Sequence, residues 1–353
     1  LQTLNNLPPE LLRQRHTLRE RILSVTAADF NATALAVFRY QAVYNPVYKT
    51  YLSLLGITPG QVTGLAQIPF MPIGFFKQHP VLSLAGVGIT EPTTTFASSG
   101  TTGTQTSRHI VPDTALYADV SRRIFEQQYG PLTNFHILAL LPSYLERNNS
   151  SLVYMVQQFI QDSGSAQSGF YLNDRDALTG HLRTLLQQDD RTVLLIGVTF
   201  GLLDWIEEGA DLHFVGKSNR VIVMETGGMK GRRKELLREE VHALLTDKLA
   251  LPAIHSEYGM TELLSQAYSP GEGLFYPGAT MRVLLRDTND PFCIYPETYT
   301  RTGGINVIDL ANLDSCSFIE TQDLGQFGPD GTFRVIGRFD NSDIRGCNLM
   351  ASL

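Results

Sequence analysis

The chain has no apolar run near the roughly 20 residues that a membrane-spanning helix needs. Its opening, Leu1-Gln2-Thr3-Leu4, has neither the basic start nor the apolar core of a secretory signal. Cysteine is scarce: Cys293, Cys316 and Cys347, separated by 23 and 31 residues. That spacing fits no zinc pattern, and three thiols cannot all pair. Free thiols suit a reducing compartment, so the cytoplasm is expected. Positive charge is also short, with 28 Lys and Arg against 35 Asp and Glu and a formal net charge of −7. This balance argues against a non-specific nucleic-acid binder. The one basic cluster, Lys230, Arg232, Arg233 and Lys234, reads as a solvated helix face. Internal repeats and low-complexity tracts are missing as well.

What is there describes a globular protein. Hydrophobic residues make up 43% and charged residues 18% of 353, enough for a sizeable core in one large domain or two ordinary ones. Residues 8–56 carry helical periodicity, opened by Pro8-Pro9-Glu10 and continued over 31–43 and 46–55. Residues 69–72 are extended and turn-rich. Helices are then predicted over 113–128 (N-cap Asp113), 150–161 (N-cap Asn149 or Ser150), 175–188, 201–208 and 232–249. Apolar strands alternate with them at 135–141, 192–198, 221–224 and 253–258. The alternation predicts an α/β fold with a largely parallel sheet. From about 280 the pattern turns to strands, 281–286, 304–309 and 317–321, and a Gly328-Pro329-Asp330-Gly331 turn joins the last of these to 332–338. The expected organisation is a helical N-terminal region packed on the core (1–90), an α/β core (91–279), a β-rich subdomain (280–338) and a tail (339–353).

Residues 95–107 concentrate small hydroxyl side chains and two glycines, Gly100 and Gly103. Backbone N–H groups and Ser/Thr hydroxyls in such a loop can surround a phosphate; a flexible linker is the alternative. It is not a Walker A loop, because no Gly-Lys-Ser/Thr follows. Glu225-Thr226-Gly227-Gly228 follows an apolar strand, where ligands of open α/β sheets bind; a plain strand-to-helix turn would look the same. Tyr258-Gly259-Met260-Thr261-Glu262 offers a ring for a base, a hydroxyl for phosphate and a carboxylate for Mg²⁺, or else a helix cap. Asp323 and Arg338 flank the hairpin turn and suit ribose hydroxyls; a structural salt bridge is the other reading.

Taken in order, these segments resemble the adenylate-forming superfamily of acyl- and aryl-CoA ligases, luciferases and adenylation domains, over roughly 90–345. Ser98-Ser99-Gly100-Thr101-Thr102-Gly103 looks like its phosphate loop, and Gly227-Gly228 like its adenine-side glycines. Tyr258-Gly259-Met260-Thr261-Glu262 looks like its adenine, phosphate and Mg²⁺ motif. Asp323 resembles the ribose Asp, and Gly337-Arg338-Phe339-Asp340 the ribose Arg and hinge Asp. A narrower resemblance is to the acyl-protein synthetase (LuxE) family, through Met71 to Lys77, Leu141 to Leu152, Gly197 to Phe200 and Arg345 to Met350.

The resemblance implies ATP and Mg²⁺ as cofactors, with Thr261 and Glu262 acting on the phosphates. It implies activation of a carboxylic, expectedly fatty, acid as acyl-AMP. The acyl group would then pass to Cys347 as a thioester, for hand-over to a reductase or transferase. A Cys packed in an apolar tail is the plain alternative for Cys347. The acyl pocket is expected under helix 150–161 beside Thr199, Phe200 and Gly227, near Val153, Met155 and Phe159. Two departures stand out. The loop lacks the superfamily's lysine after Gly103, leaving Arg108 as the nearest charge. Only 15 residues follow Arg338, so no C-terminal lid domain with its lysine is expected in this sequence. A CoA ligase and a non-catalytic adenylate-binding scaffold are the rival readings.

Overall fold

The computed structural model describes residues 9–83, 94–98, 106–142, 149–188, 190–208, 211–227 and 236–339. The first part is helical: α1 (Pro9–Ser24), α2 (Phe30–Tyr44) and α3 (Pro46–Leu54), then β1 (Met71–Pro72) and the short α4 (Phe75–Gln78). A hairpin of β2 (Thr94–Ala97) and β3 (Arg108–Val111) leads into α5 (Thr114–Tyr129). The α/β alternation follows as β4 (Phe135–Leu140), α6 (Ser151–Ser163), β5 (Gly169–Phe170), α7 (Arg175–Gln188), β6 (Thr192–Gly197), α8 (Thr199–Glu207), β7 (Val221–Glu225), α9 (Arg238–Leu249) and β8 (His255–Tyr258). The chain closes with β9 (Ala267–Ser269), β10 (Leu274–Pro277), β11 (Met281–Arg286), β12 (Gly303–Asp309), β13 (Phe318–Phe327) and β14 (Phe333–Arg338).

Local chemistry accounts for the boundaries. Asp113 Oδ1 accepts from the Leu116 N–H (3.0 Å), and Ser150 Oγ from the Val153 N–H (3.4 Å), so both expected N-caps open their helices. Helix α9 begins at Arg238, six residues later than its periodicity suggests, because the Glu240 side chain reaches back to the Leu237 N–H (2.8 Å) and sets the first turn there. The turn after β13 is the expected one: Asp330 and Gly331 adopt φ values of 52° and 76°. Strands β2, β3, β5, β9 and β10 escape prediction because two to four residues carry no readable period.

Among the described residues one twelve-stranded sheet runs β11-β12-β13-β14-β10-β9-β8-β7-β6-β4-β5, with β1 beside β13. The β5-β4-β6-β7-β8 half is parallel and the β8 to β11 half antiparallel. Helices α7, α8 and α9 bury one face of the parallel half through Leu182, Trp205 and Val241. Helices α5 and α6 cover the other through Phe125, Met155 and Phe159. Strands β8 and β13 stand four places apart along the ladder, on the order of 19 Å at the usual strand spacing. Yet Tyr258 Oη donates to Asp323 Oδ2 at 2.9 Å. The sheet therefore folds back on itself around β9 and β10, and the two halves meet.

The N-terminal helices pack onto the antiparallel half. Tyr48 and Phe38 flank Phe318 (ring centroids 6.2 and 5.8 Å away). The Gln41 amide donates to the Asn312 carbonyl (2.8 Å) and accepts from the Ser317 N–H (2.9 Å). A buried ion cluster ties three elements together: Arg15 of α1 bonds Asp314 (Nε to Oδ1, 2.7 Å) and Asp113 at the head of α5 (Nη2 to Oδ2, 3.0 Å). Burial works against both charges, but the mutual bonds win, raising the Arg15 pKa and lowering that of Asp113. Removing the cation leaves two carboxylates buried without it. Arg15→Leu is therefore expected to lose about 3–5 kcal/mol of stability in urea unfolding, and Arg15→Leu with Asp314→Asn to recover part of that loss.

Candidate active site

Strands β4, β6, β7 and β8 run parallel and release their chains at one edge. The chain passes from β4 to β5 on one side and then to β6 on the other, so strand order reverses at β4. That is where open α/β sheets bind ligands. A cleft of about 160 Å³ opens there, lined by Ser151 and Met155 of α6, Val198 after β6, Thr226 and Gly227 after β7, and Gly259 after β8.

Gly227 has φ +71°, a conformation that favours glycine. Its N–H donates to Glu225 Oε2 (2.7 Å) and its carbonyl accepts from the Thr199 N–H (3.2 Å), which pins the turn against the start of α8. At the base of the hydroxyl-rich loop, the Ser98 N–H donates to the Ser107 carbonyl (3.1 Å) and the Ser107 N–H to Ser98 Oγ (3.0 Å). Arg108 is exposed at the hairpin mouth, paired with Ala97. Ser99, Gly100, Thr101, Thr102, Gly103, Gly228, Asp340 and Cys347 lie outside the described residues.

Asp323 and Arg338 are cross-strand partners on β13 and β14, and Arg338 Nε stands 3.1 Å from Asp323 Oδ1. Burial raises the Asp323 pKa, against the pull of Arg338 and the Tyr258 hydroxyl. The Arg338 side chain is 70% exposed, leaving its remaining donors free for a ligand. The Tyr258 ring packs edge-on against Phe333 (5.3 Å) and tilted against Phe275 (5.8 Å). Thr261 and Glu262 lie in a turn with no helix to cap. His109 anchors that turn: burial pushes it down to about 4, so the neutral ring uses Nδ1 toward the Thr261 carbonyl (2.9 Å) and Nε2 toward Ser315 Oγ (2.8 Å).

Glu262 is buried, which raises its carboxyl pKa against a hydrogen bond from Ser107 and the charges of Lys77 and Arg338. No group of three or more His, Cys, Asp or Glu side chains suited to a metal occurs among the described residues. A lone carboxylate fits the Mg²⁺ mode in which substrate phosphates supply most other ligands. Glu262 is the residue here that would hold it.

Two further carboxylates meet at this edge. Glu225 is buried, but hydrogen bonds from His242, Ser256 and the Gly227 N–H and the charge of Arg238 hold its pKa below the ordinary value despite burial. Glu257 is half-buried at the cleft without such partners; desolvation first and the Glu225 charge second push it up to about 8. One carboxyl stays ionised and the other protonated near neutrality. Sequence reasoning passed over Glu257. The signal was its parity with Gly259 in a short strand: both belong to the face that meets the cleft, and a Cβ on Gly259 would collide with the Glu257 carboxylate. Of the side chains expected in an acyl pocket, Met155 lines the cleft, while Val153 and Phe159 are packed in the core.

No protein-family model and no curated protein matches the chain. Solved structures do. An open conformation of 2-hydroxyisobutyryl-CoA ligase in complex with 2-HIB-AMP and CoA aligns over 91% of this chain and 78% of its own (TM-score 0.61, 13% identity). The same ligase in its postadenylation state, with 2-HIB-AMP, aligns over 91% and 70% (TM-score 0.62, 13% identity). ATP-bound MatB from Rhodopseudomonas palustris aligns over 72% of this chain (TM-score 0.51, 15% identity), and this chain spans 50% of that one. The fold is that of the adenylate-forming N-terminal domain. At 13–15% identity the likeness is one of fold. None of the described helices is long and apolar enough to cross a membrane.

The Glu257 shift has a stability consequence. Its folded pKa of about 8 stands above the ordinary 4.5, so the folded protein keeps a proton that the unfolded chain releases. That contribution is whole below about 4.5 and is lost as pH rises through 8. Glu257→Gln removes the titration. The variant should therefore gain on wild type with rising pH, by at most about 1.4 kcal/mol per pH unit, in urea unfolding across this window.

Proposed function

We propose that the chain activates a carboxylic acid with ATP, forming an acyl adenylate, and that the acyl group then moves to the Cys347 thiol. The observation that carries the first step is the grouping of Asp323, Arg338, Tyr258, Thr261, Glu262 and Gly227 around one strand-end edge. Each supplies what an adenosine triphosphate needs. Asp323 has lone pairs left for ribose hydroxyls, Arg338 has free donors, and Thr261 and Ser98 bring hydroxyls for phosphate oxygens. Gly227 lets a flat base approach backbone.

In the first step a carboxylate oxygen of the acid forms a bond to the α-phosphorus. The bond from that phosphorus to the bridging oxygen breaks, and pyrophosphate leaves with the electron pair. Arg338 and the hydroxyls of Ser98 and Thr261 stabilise charge gathering on the phosphate oxygens. Mg²⁺, held through Glu262, supplies further neutralisation of those oxygens when bound. In the second step the Cys347 sulfur attacks the acyl carbonyl carbon, the bond to the AMP oxygen breaks, and the thiol proton passes to solvent. A partner reductase or transferase would receive the acyl group, in the manner of acyl-protein synthetases. Coenzyme A as acceptor is the second reading, favoured by the CoA ligases among the fold neighbours.

Incubation with labelled acids and Mg·ATP tests both steps. ATP–pyrophosphate exchange is expected in wild type and in Cys347→Ser, with covalent label on the wild type alone. Label transferred only to added CoA would instead establish the ligase, and no exchange across a broad acid panel would leave a binding scaffold. Separately, Asp323→Ala should raise the KM for ATP about 10- to 100-fold, the worth of hydrogen bonds to a charged group, and leave the KM for the acid nearly unchanged.

A further inference from the structure

The hydroxyl-rich stretch at 95–107 contains neither lysine nor arginine. A triphosphate carries more negative charge than one Mg²⁺ offsets, so a further cation has to come from elsewhere. Arg108 is next in sequence but faces the wrong way. Side chains alternate along β3 and its approach. Ser107 and His109 are buried, and they bond Glu262 and the Thr261 carbonyl respectively. Arg108, between them, is exposed on the other face.

The β1–α4 corner stands at the site instead. Strand β1 pairs parallel with β13 at Ile319 and Glu320, where β12 occupies the opposite flank. It therefore shares the flank of β14, which runs toward it. The Ile73 N–H donates to the Glu320 carbonyl (2.9 Å) and the Phe339 N–H to the Gln322 carbonyl (2.8 Å). The two chains thus leave β13 at points roughly 7 Å apart. Helix α4 begins there, beside the Asp323–Arg338 pair. Two rings fix its roll. Phe75 meets Tyr51 of α3 edge-on (5.6 Å), and buried Phe76 meets His109 edge-on (5.3 Å), the ring that anchors Thr261. Lys77 follows directly and is exposed. Among the described residues no hydrogen bond or ion pair holds its ammonium. Its charge, with that of Arg338, nevertheless acts on the Glu262 carboxyl.

We propose, resting on the nucleotide site of the reading above, that Lys77 and not Arg108 is the cation that binds the phosphate chain of ATP. An ammonium is a compact point charge on a flexible stem, so it can reach a phosphate oxygen without the fixed fork geometry that a guanidinium needs. Arg338 is engaged with Asp323 on the ribose side, and Lys77 adds charge from the α4 side. Glu262 lies under the influence of both. The cation is then carried by a helix pinned through Phe75 and Phe76 rather than by the loop that wraps the phosphates. His109 links the two functions, because one ring holds both the Phe76 side chain and the Thr261 carbonyl.

Calorimetric titration of the whole chain with Mg·ATP and with adenosine tests this without acid or turnover. Lys77→Met keeps the stem and removes the charge. It should weaken Mg·ATP binding about 10- to 100-fold, the worth of a hydrogen bond to a charged group, and leave adenosine binding unchanged. Lys77→Arg should recover part of the loss, and Arg108→Ala should bind Mg·ATP as wild type does. The gap between wild type and Lys77→Met should also narrow as salt rises, since an exposed charge is screened. Unchanged Mg·ATP affinity in Lys77→Met overturns the assignment. So does an equal loss for adenosine, which would mark a defect in packing, or a larger loss in Arg108→Ala. Adenylation is judged apart from this. Wild type that binds Mg·ATP through Lys77 but exchanges pyrophosphate with no acid upholds the assignment and ends the adenylation reading. Wild type without affinity for Mg·ATP overturns both.

Discussion

Side chains along a strand alternate between two faces, and in β8 that alternation decides what every part of the site can be. Tyr258 goes to one side, where its hydroxyl meets Asp323 and its ring joins Phe275 and Phe333. Glu257 goes to the other, into the cleft. Ser256 shares the side of Tyr258 and sits beside Glu225 of β7. A slip of one residue would exchange all three destinations at once. The register is held by antiparallel pairing with β9 and parallel pairing with β7. The ion cluster at Arg15 and the polar contacts of Gln41 brace the opposite half of the sheet. The site is therefore a property of sheet geometry more than of any loop.

Neighbouring carboxyls acquire different chemistry from that same geometry. Glu225 receives donors from α9, β8 and its own turn and remains charged. Glu257 receives none, feels that charge, and holds its proton. A pair whose environments drive the two pKa values apart is the usual mark of a site with work to do. Here the contrast comes from which helix covers which face of one strand pair.

Much of this was legible beforehand, for reasons that can be named. Asp113 and Ser150 stand directly before apolar periodic stretches, so their caps follow from local chemistry. The 135–141 and 192–198 runs are long enough, and apolar enough, to read as buried parallel strands. Asp323 and Arg338 stand on either side of a strong turn, so a hairpin brings their positions near each other, and a bulge between Leu324 and Gly325 then sets them directly opposite. What could not be read depends on contacts distant in sequence. No local pattern announces that the sheet doubles back at β10, a strand of four residues. Arg15 gives no sign of reaching a carboxylate 299 residues away. Glu257 carries no local signal, because its state depends on Glu225 in the neighbouring strand.

The fold-back at β10 carries a mechanical meaning. Hydrogen bonding across this seam is thin: two residue pairs join β10 to β14 and two join it to β9. Stacked Phe275 and Phe333 and the Tyr258–Asp323 bond supply the rest of the join. Cleft residues such as Gly227 belong to the parallel half, whereas Asp323 and Arg338 belong to the antiparallel half. A molecule that touches both is a cross-brace over a seam of few backbone pairs. Occupancy then ties the two halves together, and they are clamped most firmly at the moment the reacting groups must be held in line.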